Sequence, residues 1–121
     1  GQTWEAAMFA ASNKLNNLCL IIDLNNLQVE GDTRGVIVMA PIEDKFRSFG
    51  WQPIEVDGHS FTELDRAFEV ARNQVNKPTV IIAKTTVGKG VSLLEGRMSH
   101  NMVLPKEVAK NALKELRGNI D

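Results

Sequence analysis

Two short, continuously apolar runs constrain this chain most. Leu18-Cys19-Leu20-Ile21-Ile22 and Thr79-Val80-Ile81-Ile82-Ala83 show no polar alternation and are bounded by Asn and Pro residues. Runs of this length and kind read as strands covered on both faces, the usual condition in parallel sheets. Trp51 to Val56 reads as a weaker, partly alternating strand.

Helical spacing fills the intervals. Trp4, Ala7, Met8, Ala11 and Leu15 fall on one helix face, which Asn16-Asn17 ends. Pro41 suits the first turn of a helix carrying Ile42, Phe46 and Phe49, with Gly50 as its C-terminal cap. Ser60-Phe61-Thr62-Glu63 matches the S-x-x-E capping box, ahead of Phe61, Leu64, Phe68, Ala71 and Val75 at helical spacing. Pro105 opens a last helix with Val108, Ala112, Leu113 and Leu116 inward. Residues 24–40 and 85–103 read as irregular, punctuated by glycines. This alternation predicts an α/β fold, a three-layer α/β/α arrangement with a mainly parallel sheet. We read residues 1–121 as one domain. The chain starts without Met and already in helical register. We therefore expect a piece of a larger protein, with further strands ahead of Gly1.

Composition narrows the function classes. The apolar share of 43% and charged share of 24% are those of a soluble globular chain. A formal charge of −1 removes the electrostatic case for nucleic acid or an acidic membrane. No apolar stretch approaches the roughly 20 residues of a membrane span. The expected location is the cytoplasm. Cys19 is the single cysteine, so no internal disulfide forms, and we expect it to be a small core residue.

In parallel sheets, ligands bind beyond the C-terminal strand ends. That directs attention to Asp23 to Gly31, Asp57 to His59, and Thr85 to His100. Asp23-Leu24-Asn25-Asn26 leaves two readings open. One is an Asx turn, in which a side-chain amide imitates a backbone turn. The other is a site for a hard cation such as Mg²⁺, which takes oxygen ligands and is commonly shared with a phosphate. Thr85 to Gly90 lacks the G-x-x-x-x-G-K-[ST] spacing of a P-loop, leaving glycine-rich backbone near a ligand or a simple turn. His59 and His100 have no Ser or Cys partner in a recognisable triad motif.

Three blocks, "GQTWEAAMFAASNKLNNLCLIIDLNNLQVEGDT", "DKFRSFGWQPIEVDGHSF" and "KPTVIIAKTTVGKGVS", occur in an order and spacing that resemble the diphosphate-binding domain of transketolase. The resemblance covers essentially the whole chain and is nearest to the N-terminal subunit of the split bacterial and archaeal type. It implies transfer of a two-carbon ketol unit between sugar phosphates, in the pentose phosphate pathway, with thiamine diphosphate and Mg²⁺ as cofactors. By this resemblance Asn25 supplies a side-chain ligand to the metal and Leu27 a backbone carbonyl. His100 contacts the diphosphate, Val29 and Val87 pack near the thiazolium, and Gly88 lies beside Val87. His59 has no counterpart.

The family's Gly-Asp-Gly, which carries the metal's carboxylate ligand, falls ahead of Gly1. Where the family commonly has Trp-His-Gly, this chain has Ser99-His100-Asn101. The implied partner is a pyrimidine-binding domain or C-terminal subunit, in a homo- or hetero-oligomer such as a dimer, and the chain alone is expected to be inactive. Two alternatives stand beside this reading. One is a non-catalytic remnant with the same fold, with Trp4, Met8 and Met39 as uncovered surface. The other is a related thiamine diphosphate enzyme, of the 1-deoxyxylulose-5-phosphate synthase or dehydrogenase E1 type.

Overall fold

The opening periodicity becomes α1 (Gln2–Ser12), which closes at Asn13, where the chain turns through Lys14 at φ +52°. The computed structural model describes residues 1–28, 31–97, 99 and 102–118. Next come β1 (Cys19–Leu24), β2 (Leu27–Gln28), β3 (Gly31–Asp32), α2 (Thr33–Val36) and α3 (Ile42–Ser48). They are followed by β4 (Gln52–Asp57), α4 (Phe61–Arg72), β5 (Thr79–Lys84) and α5 (Lys106–Gly118). Two compact units form: Gly1–Leu24 with Val38–Thr85, and Asn25–Ile37 with Thr86–Asp121.

The first unit is built on a parallel three-stranded sheet in the order β1-β5-β4. Its central strand β5 is buried along its length up to Lys84, as its unbroken apolar run predicts. Successive side chains of a strand point to opposite faces. Val80 and Ile82 accordingly pack with Ala7 and Ala10 of α1, Phe46 of α3 and Trp51. Ile81 and Ala83 pack on the other face with Val56 and Ala67, where Leu64 and Phe68 of α4 join them. The expected α/β/α layering is therefore present in this unit.

An aromatic cluster fixes the first face. Trp4 lies against Phe46 and Phe49 with ring centroids 5.4 and 5.9 Å apart, and Phe46 meets Trp51 edge-on at 5.5 Å. The Trp51 Nε1–H donates to the Ala7 carbonyl at 2.8 Å, so the buried indole leaves no orphan donor. Trp4 is thus core lining and not the uncovered surface considered above, whereas Met8 and Met39 are exposed.

Several expectations are corrected. In this structure β1 is an edge strand and not a strand covered on both faces. Leu20, Ile22 and Leu24 are half-buried, while Cys19 and Ile21 are exposed. Cys19 is therefore not a core residue. On α4 the inward residues are Leu64, Ala67, Phe68 and Ala71, whereas Phe61 is 89% exposed and Val75, 73% exposed, lies beyond the helix end. Residue Ser60 does cap α4, accepting from the Glu63 N–H at 3.3 Å. The Glu63 carboxylate reaches the Asp57 N–H at 2.7 Å, tying the helix start to the end of β4. On α5, Ala112 is buried and Val108 half-buried, but Leu113 and Leu116 are exposed.

The second unit holds a short antiparallel pair, with Leu27 opposite Asp32 and Gln28 opposite Gly31, followed by α2. Within the stretch 24–40 read as a loop, β2, β3 and α2 are therefore regular structure. The segment 86–97 is a chain of turns, and α5 follows Pro105 as expected.

Candidate functional site

Strand register brings the carboxyl ends of the sheet together in the first unit. Leu24 and Asp57 both stand opposite Lys84 of the central strand. Past the ladder, the Thr85 N–H still reaches the Leu24 carbonyl at 3.3 Å, and the Thr85 hydroxyl donates to the Asp23 carboxylate. Gly58 donates its N–H to the Lys84 carbonyl at 2.8 Å. A Cβ on Gly58 would lie 2.5 Å from the Thr85 methyl carbon, so only glycine lets the β4 turn come this close. Lys84 pairs with Glu55, whose carboxyl is held below its ordinary value by that hydrogen bond. The His59 N–H donates to Asp57 Oδ1 at 2.9 Å, closing the turn; His59 is not assigned a role beyond it.

Asn25 and Leu27 follow β1 in sequence and belong to the second unit. The Leu27 N–H donates to Asn25 Oδ1 at 2.9 Å, which is an Asx turn. Asn26 takes φ +59°, a left-handed conformation that Asn tolerates better than most residues, and its carbonyl accepts from the Thr33 N–H at 3.0 Å. Each residue of the Asn-Asn pair therefore has a local conformational reason, Asn25 through its side chain and Asn26 through its backbone. Turn and cation site are not exclusive, because an amide oxygen carries two lone pairs. At the end of β3, Asp32 caps α2 through the Arg34 N–H at 2.8 Å and pairs with its guanidinium at 2.6 Å. Those hydrogen bonds lower the Asp32 carboxyl from 3.8 to about 2.

Val87 and Gly88 sit in the turn chain of the same unit. Gly88 has φ +71°, and a Cβ there would lie 2.5 Å from the Leu94 carbonyl oxygen. Its glycine is required by the folding of its own loop. The Val87 carbonyl accepts from the Gly96 N–H at 2.8 Å, closing that loop, and Val87 is half-buried. Val29 and His100 lie outside the described residues. Among the described residues no cluster of three or more His, Cys, Asp or Glu could hold a metal. The two donors that the resemblance implies, the Asn25 amide and the Leu27 carbonyl, are neutral oxygens, a ligand type that hard cations accept.

Residues 1–118 match the family described as transketolase, thiamine diphosphate binding domain. The chain belongs to that family. It is 44% identical over 117 residues to a 6-deoxy-6-sulfo-D-fructose transketolase subunit, SqwG, of Clostridium sp. strain MSTE9, covering 96% of this chain and 42% of that subunit. It is 36% identical to one subunit of the apulose-4-phosphate transketolase of Phocaeicola vulgatus, covering 100% of this chain and 43% of that subunit. Among solved structures, transketolase of Campylobacter jejuni superposes with a TM-score of 0.88 at 37% identity, over 97% of this chain and 18% of that one. The chain therefore spans under half the length of the subunits it matches. The resemblance read from the sequence is borne out at the level of family and fold, and the match favours transketolase over the synthase and E1 alternatives.

The tie between Asp23 and Thr85 was not anticipated. The signal was present: each residue follows one of the two unbroken apolar runs, and parallel pairing of those runs sets their ends side by side.

Proposed function

We propose that this chain forms part of a transketolase that moves a two-carbon ketol unit between sugar phosphates, as a step in the carbohydrate metabolism of the cytoplasm. The observation that carries the reading is the family match over residues 1–118, joined to an amide-bearing turn directly after β1. Thiamine diphosphate, when bound, supplies the carbanion chemistry, while the protein binds and orients. In this reading the Asn25 side-chain oxygen and the Leu27 carbonyl hold Mg²⁺. His100 contacts the diphosphate. Val29 and Val87 pack near the thiazolium, and Gly88 lies beside Val87 in the same loop. The remaining groups come from a pyrimidine-binding domain or C-terminal subunit, in an oligomer such as a dimer, and the chain alone does not catalyse.

Calorimetric titration of thiamine diphosphate with Mg²⁺ into the chain, repeated with Asn25→Ala, tests the site. Binding that requires Mg²⁺ and is lost in the variant supports it. Mg²⁺-independent binding, or binding unchanged in Asn25→Ala, overturns the assignment of Asn25. Ketol transfer by the purified chain without a partner overturns the claim that it does not act alone.

A further inference from the structure

Within the second unit, the segment 86–97 closes on itself. The Lys89 N–H reaches the Thr86 carbonyl at 3.2 Å, the Val91 N–H the Gly88 carbonyl at 3.1 Å, and the Gly96 N–H the Val87 carbonyl at 2.8 Å. The Glu95 carboxylate accepts from the Gly90 N–H at 3.1 Å and pairs with the Lys89 ammonium at 3.2 Å. These bonds lie inside the segment, so they shape the loop without seating it on anything. A contact that leaves the segment runs to Glu115 on α5. Its Oε1 accepts from the Ser92 N–H at 3.0 Å and also from the Ser92 hydroxyl. Two donors of one residue on one acceptor fix an orientation as well as a distance. The next residue of the helix, Leu116, has its Cδ2 3.3 Å from where a Cβ on Gly90 would lie, so the glycine leaves room for α5 there. Val91 of the loop and Ala112 of α5 are both buried.

We propose that Glu115 is a positioning residue that holds the Val87-bearing loop on α5 in the shape the cofactor meets. This deepens, and rests on, the assignment of Val87 to the thiazolium. The Gly96–Val87 bond makes the two ends of the loop move together, and Ser92 lies between them. A hold at Ser92 therefore acts on Val87. The helix resists displacement because it is regular over 13 residues, and a charged acceptor makes the stronger hydrogen bond. A role limited to the stability of α5 would act on the helix amides. A positioning role acts on the loop amides and on cofactor affinity.

Two variants separate these roles. Glu115→Ala removes both bonds, and alanine is the better helix former, so α5 itself is not weakened. Glu115→Gln keeps a side-chain oxygen with two lone pairs that can accept both Ser92 donors. Amide hydrogen exchange is followed at Gly96, whose N–H bonds Val87, and at Ala112 and Leu113 within α5. Mg²⁺-dependent thiamine diphosphate binding to the chain is titrated in parallel. In Glu115→Ala, Gly96 is expected to exchange about fivefold faster while Ala112 and Leu113 stay protected. Affinity is expected to fall about fivefold, the effect of losing one typical hydrogen bond. Glu115→Gln is expected to restore most of both readouts. The proposal is overturned if Glu115→Ala leaves Gly96 exchange unchanged, if the two variants lose equally, or if Ala112 and Leu113 lose protection in step with Gly96. Unchanged affinity in Glu115→Ala beside a loosened loop overturns the link to the cofactor. Should the parent chain bind no thiamine diphosphate, the cofactor assignment fails by itself, and exchange at Gly96 decides whether Glu115 holds the loop.

Discussion

Replacing Gly58 by Ala tests the packing of the strand ends in one substitution. Gly58 does not sit in the left-handed region, so alanine brings no backbone strain and the cost is steric. The added Cβ would meet the Thr85 methyl carbon at 2.5 Å, the Ala83 Cβ at 3.1 Å and the Lys84 carbonyl oxygen at 3.1 Å. Carbon atoms pack best at about 3.5–4.0 Å, so the first contact overlaps by roughly 1 Å. Relief is hindered on both sides. Thr85 cannot turn away without loosening its bond to Asp23, and the Lys84 carbonyl holds the Gly58 N–H at 2.8 Å.

Overpacking of this kind costs about 1–3 kcal/mol. Alanine also restricts the unfolded chain, which returns about 0.4–1 kcal/mol. The steric effect is the larger, and the expected net destabilisation is about 1–2 kcal/mol. Urea unfolding followed by tryptophan fluorescence measures it as a lower midpoint at unchanged slope. Adding Thr85→Ser removes the atom responsible for the shortest contact and should recover about 1 kcal/mol, a coupling within the range seen for touching residues. The reasoning is refuted if Gly58→Ala is as stable as the parent, or if the double variant shows the simple sum of the two single effects.

Other expectations rest on the same packing and hydrogen bonding. Trp51→Phe keeps most of the ring packing but removes the 2.8 Å hydrogen bond to the Ala7 carbonyl, and thermal unfolding should show a loss of about 0.5–1.5 kcal/mol. Thr79 is fully buried with no hydrogen-bond partner for its hydroxyl among the described residues. Thr79→Val should therefore be neutral or stabilising in the same assay, and a clear loss would show that the hydroxyl has a partner. Asp32 should titrate near 2 by carbon NMR, and Arg34→Ala should return it to the ordinary carboxylate range. Because its folded-state pKa is depressed, the Asp32–Arg34 contribution is present above the unfolded value of 3.8 and is lost as pH falls through about 2. Both groups are exposed, so the effect of Arg34→Ala on unfolding above pH 5 should be small.

Local signals carried much of the architecture. The run Thr79 to Ala83 specified a strand buried on both faces, and the structure places it at the centre of the sheet. Ser60 and Glu63 specified the start of α4 because a cap is a contact between near neighbours. Gly50, at φ +94°, closes α3 as read. The blocks that resemble transketolase likewise lie in short segments, which is why family and fold were legible together.

What escaped depends on contacts distant in sequence. The run Leu18 to Ile22 is as apolar as β5, yet it lies on the edge and leaves Cys19 and Ile21 exposed, because sheet order and not composition decides what covers a strand. Helical spacing marked Phe61, Leu113 and Leu116 as inward, but periodicity identifies a stripe and only tertiary packing selects which part of it is covered. The paired strands β2 and β3 are too short to give a periodic signal. The Asn25 side chain illustrates the division most clearly. Its sequence position allowed either a turn or a cation ligand, and the fold shows that the turn is made.

By itself, then, the sequence determined the types of the longer elements, the parallel sheet and the family, since those follow from local propensity, periodicity and ordered blocks. Only the tertiary structure decided which strand is central, which helix faces are covered, and that Asp23, Gly58 and Thr85 meet. Those depend on register between strands far apart in the chain, and a shift of one residue in a strand turns every side chain to the opposite face.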